Sequence, residues 1–410
     1  MPLRPSAAAL VLALGAAAGC AVHTAYEPLR VVSLPAPSRA EFAEELPPGE
    51  LALEKVTDPA AWPELAVPIE DRAALLEAIE RSLHYLAKPS SRRYYPYLDI
   101  SHGRVVRSLE AFRDLVSSGL GPEELARALR QRFELYRSRG RRGTGEVLFT
   151  GYCEPIYEAA LRPDARFRFP LYRRPDDLVS TEEGVPLGRR LPDGRLVPYF
   201  TREQIDAGGA LRGRGLELVW LADPLEAYLV HVQGSARLRL VHEGGRLLPV
   251  GYAGKTDRPY RSLGQALVRD GKVAKEEMSL GAIKRHFRER PAELWPYLFE
   301  NESYVFFRVA EGGPYGSLNE RVTPRVTIAT DKSVFPRAAL AFADCRLPRP
   351  QPDGSLEQAP FRAFCLDQDT GGAIRSAGRC DIFLGTGPEA ERIAGATMSV
   401  GRLFYLFLKE

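Results

Sequence analysis

The 410-residue chain is poor in the side chains that metal and thiol chemistry depend on: it has 6 His and 5 Cys, with no CxxC pair and no HExxH. That removes the usual zinc signatures, and no metal ligand set is expected. It also lacks a surplus of charge. Lys and Arg number 56 against 53 for Asp and Glu, and a net +3 over 410 residues cannot supply the field that binds a polyanion. Nucleic acid is therefore excluded as a partner. With 45% hydrophobic and 27% charged residues the chain is neither disordered nor collagenous, and it is long enough for one large or two ordinary domains. Gly (36) and Pro (33) are too frequent for a helical bundle and suit a β-rich protein with many turns.

The apolar run at residues 7–19 follows Arg4 and has the length of an export-signal core, short of the about 20 residues a membrane-crossing helix needs. It ends in Ala17-Ala18-Gly19-Cys20, which resembles the lipobox of bacterial lipoproteins, with Cys20 as the acylated residue. Ala17 stands where that pattern usually has Leu, so cleavage by an ordinary signal peptidase stays open. Residues 20–68 are rich in Pro, Ala and Glu without a period, and read as a tether followed by irregular structure. Next comes "DRAALLEAIERSLHYLAKP", with Leu75, Ile79, Leu83 and Leu86 at helical spacing, then "SLEAFRDLVSSGLGPEELARALRQRFELYRS", which reads as two more helices. From Glu146 onward short β-type runs take over: "EVLFTGY", "GLELVWLA", "AYLVHVQG" and the hairpin pattern "RLRLVHEGGRLLPV". After a helical interlude at "YRSLGQALVRDGKV" and "SLGAIKRHFRERPAELWPYLFEN", strands return as "YVFFRV", "RVTIATD", "FRAFCLD", "CDIFLG" and "LFYLFLK".

Three carboxylates sit at the ends of late strands: Asp331, Asp369 and Asp381. A turn carboxylate is more often a backbone cap than a catalyst, but here Gly371 and Gly372 would let backbone approach a ligand, so that two carboxylates and exposed amides can face one space. A sugar site is the reading that fits. "DQDTGG" fails as a calcium loop for want of the terminal Glu, "GTG" lacks the rest of a dinucleotide fingerprint, and "VQGSAR" is not a GxSxG elbow.

The blocks "FTGYCEPIYEA", "AYLVHVQGSARL", "GYAGKTDRPYRSLGQALV", "NESYVFF", "TDKSVFP" and "DTGGAIRSAGRCDIFLGTGPEA" occur in the order of, and resemble, the signature blocks of the membrane-bound lytic murein transglycosylase A family. The resemblance implies a mainly β fold with flanking helices: a double-psi β-barrel domain from residues 69–155 and 310–410, an inserted second β-rich domain at 156–309, and a glycan cleft between them. It implies a peptidoglycan lytic exotransglycosylase, a carbon–oxygen lyase that cleaves the β-1,4 bond between N-acetylmuramic acid and N-acetylglucosamine and leaves a 1,6-anhydro end, with no cofactor. By motif position Asp381 is the single acid-then-base carboxyl, with Asp369 and Asp331 as the other site aspartates. Thr150, Tyr152, Gln233, Gly234, Ser235, Tyr252, Lys255, Gly371 and Gly372 are the expected glycan contacts. Outer-membrane lipid, through acylated Cys20, and proteins of wall synthesis or division complexes are the further expected partners; the expected place is the periplasm, anchored to the outer membrane, or soluble there without acylation. Cys380, beside Asp381, could pair with Cys365 and brace that loop, while the pairing of Cys153, Cys345, Cys365 and Cys380 stays open. Two rival readings are a two-carboxylate peptidoglycan hydrolase and a non-catalytic wall-binding barrel.

Overall fold

The computed structural model describes residues 39–181, 184–274, 278, 280–371 and 374–410. The chain divides into Met1–Ala36, which lies outside the described residues and contains Cys20 and the expected export signal, and Pro37–Glu410, which carries everything below. Among the described residues no helix is long and apolar enough to cross a membrane.

The first part of the chain forms β1 (Leu53–Lys55), α1 (Arg72–Ala87), α2 (His102–Ser117), α3 (Pro122–Arg132), β2 (Phe133–Ser138) and β3 (Val147–Glu154). Each helix starts where the sequence supplies a cap: the Asp71 carboxylate accepts from Ala74 N, the Ser101 hydroxyl from Arg104 N, and Pro122 opens α3. The buried stripe Leu75, Ile79 and Leu86 of α1, with Val105, Leu109 and Phe112 of α2, enters one core with the late strands. Packing begins well before residue 69: Phe42 is buried, its carbonyl accepts from the Ser376 hydroxyl, and β1 pairs with β2. Part of the expected tether and irregular segment thus belongs to the folded body, because an edge strand of three residues carries no period to read.

The middle of the chain forms β4 (Ile156–Ala160), β5 (Phe169–Tyr172), β6 (Leu178–Ser180), β7 (Pro186–Arg190), β8 (Leu196–Val197), α4 (Arg202–Asp206), β9 (Glu217–Leu221), α5 (Pro224–Gln233), β10 (Ser235–Leu240), β11 (Arg246–Lys255), α6 (Leu263–Arg269), α7 (Leu280–Glu289), α8 (Leu294–Glu300) and β12 (Val305–Val309). Six of these strands make a sheet in the order β12-β11-β10-β4-β9-β5, and β6-β7-β8 form a small separate one. The run "AYLVHVQG" is helical, in α5, and not the strand its apolar texture predicts. Asp223 caps it by accepting from Leu225 N at 2.7 Å, Pro224 sits in its first turn, and Gly234 ends it at φ +77°. A helix buried on nearly all sides has no polar face, so its sequence looks like that of a buried strand.

The last part forms β13 (Thr327–Ala329), β14 (Leu340–Pro350), β15 (Leu356–Asp369), β16 (Arg379–Thr386), α9 (Pro388–Ala396) and β17 (Met398–Leu408). The strands run β17-β14-β15-β13-β16-β3, and pairing of β3 with β17 closes them into a six-stranded barrel, with β2 and β1 added on the outside of β17. β16 pairs parallel to β3, and β13 parallel to β15, so the ring is mixed, as expected of a double-psi barrel. Cys153, Cys345, Cys365 and Cys380 are all free. A Cys365–Cys380 bond, one pairing the sequence leaves open, does not form because β13 lies between their strands. Two strand spacings, about 9–10 Å, exceed the reach of a disulfide.

The barrel and the second sheet meet at β3 and β4, separated only by Pro155. There Glu154, whose side chain is 2% exposed, accepts from Arg237 Nε on β10 at 2.7 Å and from the Thr386 hydroxyl at 2.9 Å, and its carbonyl accepts from Gly387 N. One buried carboxylate therefore ties the insert, β3 and the turn into α9 together.

Candidate active site

Register places the candidate residues in one transverse row. Thr150 on β3 lies opposite Asp381 on β16, Asp381 opposite Ala329 on β13, and Ala329 opposite Asp369 on β15. Directly opposed residues share a face of a sheet, and a bulge between Ile328 and Ala329 re-aims the Asp369 end. The Thr150 hydroxyl donates to Asp381 Oδ1. Arg379, two residues before Asp381 on the same strand, donates from Nη2 to Asp381 Oδ1 at 3.3 Å and to the Thr150 hydroxyl at 3.2 Å. The Asp381 side chain keeps 18% exposure, enough for a substrate atom to reach it.

Asp369 is held differently. Its Oδ2 accepts from the Tyr152 hydroxyl at 2.8 Å and its Oδ1 from Ser317 N and Thr370 N, each at 2.8 Å. Burial pushes its carboxyl above the usual carboxylate range, and those three donors pull the other way. Ser317 lies on the segment returning from the second sheet, and that segment comes close because residue 316 is glycine: a Cβ there would stand 2.9 Å from Gln368 O and 3.1 Å from Asp369 Cγ. Tyr152 packs on Phe383 with ring centroids 5.2 Å apart, so the pair of aromatics walls the space between the two carboxylates' strands.

Asp331 is not part of the row. Its Oδ1 accepts from Ser333 N and the Ser333 hydroxyl, and its Oδ2 from Ser376 N at 2.9 Å, while its side chain is 5% exposed. It braces the turn after β13 against the loop before β16. Gly371 lies beside its own loop residue Ile374, whose Cδ1 would be 3.1 Å from an added Cβ; Gly372 lies outside the described residues.

The glycan-contact candidates of the insert sit together at one end of its sheet. Gln233 ends α5, Gly234 is its left-handed cap, and Ser235 starts β10 opposite Gly251. Arg237 is aligned with Ile156, so Ser235 projects past the point where β4 leaves the barrel, and the β11 residues Tyr252 and Lys255 extend further in the same direction. Tyr252 is 46% exposed at a β-bulge and Lys255 is exposed. Among the described residues the side chains of Gln233, Ser235, Tyr252 and Lys255 have no hydrogen-bond or ion-pair partner. The Thr150 and Tyr152 hydroxyls, by contrast, donate hydrogen bonds to Asp381 and Asp369.

Three groups escaped the sequence reading. Arg379 was visible in principle, since a strand residue two before Asp381 shares its face. Ser317 and Glu154 act through contacts between distant segments and leave no local signal. Among the described residues no group of three or more His, Cys, Asp or Glu is arranged to hold a metal ion.

Residues 148–308 match the family described as the MltA specific insert domain, and residues 326–407 match the 3D domain. Over 276 residues the chain is 31% identical to the membrane-bound lytic murein transglycosylase A of Escherichia coli K12, an alignment covering 67% of this chain and 69% of that protein. The chain belongs to the membrane-bound lytic murein transglycosylase A family. The Vibrio cholerae protein of the same name is 33% identical over 269 residues, 65% of this chain and 66% of that one, so the matches span about two thirds of these relatives. Solved structures extend the likeness further along the fold. A membrane-bound lytic murein transglycosylase from Agrobacterium tumefaciens superposes with a TM-score of 0.71 at 26% identity, covering 87% of this chain and 98% of that one. E. coli MltA with bound chitohexaose gives 0.63 at 25% identity, covering 88% and 95%.

Proposed function

We propose that the chain cleaves the β-1,4 bond between N-acetylmuramic acid and N-acetylglucosamine with Asp381 as its single acid-then-base group, leaving a 1,6-anhydromuramoyl end. The coarser activity, that of a peptidoglycan lytic transglycosylase, follows from the family. The observation that carries the finer reading is the Thr150–Asp381–Arg379 constellation: one carboxyl, partly open, oriented by a hydroxyl and a guanidinium fixed on neighbouring strand positions. As acid, Asp381 gives its proton to the departing glycosidic oxygen. As base, it recovers one from the C6 hydroxyl as that oxygen attacks C1. The nucleophile belongs to the substrate, so ring closure is intramolecular and needs no second enzyme carboxylate to attack or to activate water. Asp369, with Tyr152 and Ser317, supplies the neighbouring polar wall; Asp331 supports the loop that carries Asp381's strand.

In this reading residues 69–155 and 310–410 form the chemical domain and 156–309 the inserted one, and the glycan lies between them against Gln233, Ser235, Tyr252 and Lys255. The relative solved with bound chitohexaose supports an oligosaccharide in this fold. Acylation of Cys20 would hold the enzyme at the outer membrane on the periplasmic side, in keeping with relatives named membrane-bound.

Product analysis on isolated sacculi tests the proposal. Native protein is expected to release anhydro-muropeptides, one water lighter than reducing-end products, and Asp381→Asn roughly 10²–10⁴-fold less of them. Reducing ends would instead indicate a two-carboxylate hydrolase.

A further inference from the structure

The second sheet encloses a cavity of about 170 Å³, lined only by residues between Arg168 and Tyr304 and sharing none with the Thr150–Asp381–Asp369 row. Its walls are aromatic. Phe169 and Trp295 stand with ring centroids 6.0 Å apart, Trp220 lines it from β9, and Tyr228 and Tyr304 flank the buried Arg202 guanidinium at 4.9 Å each. Arg202 donates to the carbonyls of Asn301 and Ser303 at 3.0 and 2.6 Å, which fixes it as part of the floor. Beside it Asp206 accepts from the Tyr304 hydroxyl at 3.1 Å and lies 3.6 Å from Arg202 Nη1, with 18% of its side chain open. Burial pushes the Asp206 carboxyl upward, which suits a group that exchanges hydrogen bonds with a neutral hydroxyl.

The rim has a different character. Arg168 and Arg212 both line the cavity and are exposed, and among the described residues neither guanidinium has a carboxylate within ion-pair distance. Glu217 also lines the cavity, without closing such a pair. Aromatic faces accept the C–H face of a pyranose, a floor carboxyl meets its hydroxyls, and a guanidinium such as that of Arg168, which stacks on Phe169 at 5.5 Å but pairs with no carboxylate among the described residues, fits a carboxylate bidentately. At about 170 Å³, well below the about 300–1,000 Å³ that drug-sized ligands fill, the cavity takes one sugar ring at most, with the ring's substituents left at the rim.

We infer that the cavity is a second, non-catalytic binding site for one carboxylate-bearing amino-sugar ring of the N-acetylmuramic acid type, its lactyl carboxylate on Arg168 and Arg212. The choice of this sugar rests on the proposed function, since a peptidoglycan strand stripped of its peptides presents such rings. The site would hold the insert on the terminal ring of a stripped glycan while the row around Asp381 acts elsewhere.

Two of the chain's 3 tryptophans, Trp220 and Trp295, line the cavity, so binding is readable by intrinsic fluorescence on the full chain. Titration with N-acetylmuramic acid is expected to give a saturable change, with N-acetylglucosamine at least about tenfold weaker for want of the charged contact. Arg168→Ala with Arg212→Ala should weaken the acid sugar about tenfold and leave the neutral one unchanged. Both positions are exposed, and thermal unfolding checks the fold; Arg212→Gln alone should show a smaller loss. Asp381→Asn should bind like the native chain. Equal responses to the two sugars, no effect of the arginine variants, loss of the signal in Asp381→Asn, or no saturable change would each overturn the inference. Sacculus digestion run in parallel separates the two readings: digestion without binding sinks the second site alone, and binding without digestion sinks the proposed activity alone.

Discussion

In the barrel, every candidate polar group is already engaged: Thr150 and Arg379 on Asp381, Tyr152, Ser317 and Thr370 on Asp369, and Ser333 and Ser376 on Asp331. In the insert, Gln233, Tyr252 at 46% and Lys255 at the end of β11 stand exposed, and Ser235 is half-buried. The contrast divides the work. Groups locked by cross-strand partners keep their geometry while charge moves, which is what proton transfer requires. Groups without partners keep their donors for a ligand and make affinity adjustable. In the proposed reading the barrel supplies chemistry, and the insert supplies grip.

The sharpest way to break this division is Asp381→Asn. Turnover on sacculi should fall roughly 10²–10⁴-fold, the range of a lost general acid–base group, with unchanged circular dichroism. A variant within a few-fold of native activity would move the chemistry elsewhere. The joint between the regions comes next. Arg237→Ala leaves the buried Glu154 carboxylate with only the Thr386 hydroxyl, at an expected cost of about 2–4 kcal/mol in urea unfolding. The exposed pair Arg139–Glu50 is the control, worth about 0–1 kcal/mol. On the insert side, Tyr252→Ala and Lys255→Ala should each raise KM about three- to tenfold with kcat nearly constant, the pattern of lost uniform binding. A fall in kcat alone would place them among the reacting groups.

The smallest effect concerns pH. Burial, with a like charge from Asp223, lifts the Glu226 carboxyl from 4.5 to about 7, against the pull of Lys284. The folded chain therefore holds a proton between pH 4.5 and about 7 that the unfolded chain releases, and it loses stability as pH rises through that window. Glu226→Gln should be more stable than native at pH 8, by on the order of 1 kcal/mol after solvent screening, with the advantage gone at pH 4. An equal difference at both pH values would show that the change acts through packing.

Much of this was open to reading in the letters. The capped stripes of α1 and α2, the hairpin of β10 and β11 and the late strands all carry their periods openly. The row itself was half legible: Asp381, Asp369, Thr150 and Tyr152 were named from motif, and Arg379 could have been added from its two-residue spacing. α5 was misread because burial on nearly all sides erases amphipathicity. The sequence leaves a Cys365–Cys380 bond open because chain order does not tell that β13 slots between β15 and β16. Asp331 looked equal to Asp369 in sequence, and only its partners separate a loop brace from a site wall.

The amino-acid order by itself determined the kinds of element, most of their limits and the chemistry available, since caps, turns and hydrophobic periods act over a few residues. Which carboxylate stays open was decided only in three dimensions. Barrel closure sets residues 150, 329, 369 and 381 side by side, and Gly316 admits a backbone amide from a segment 52 residues away to Asp369. Contacts of that range depend on register and strand order, and no local pattern encodes either.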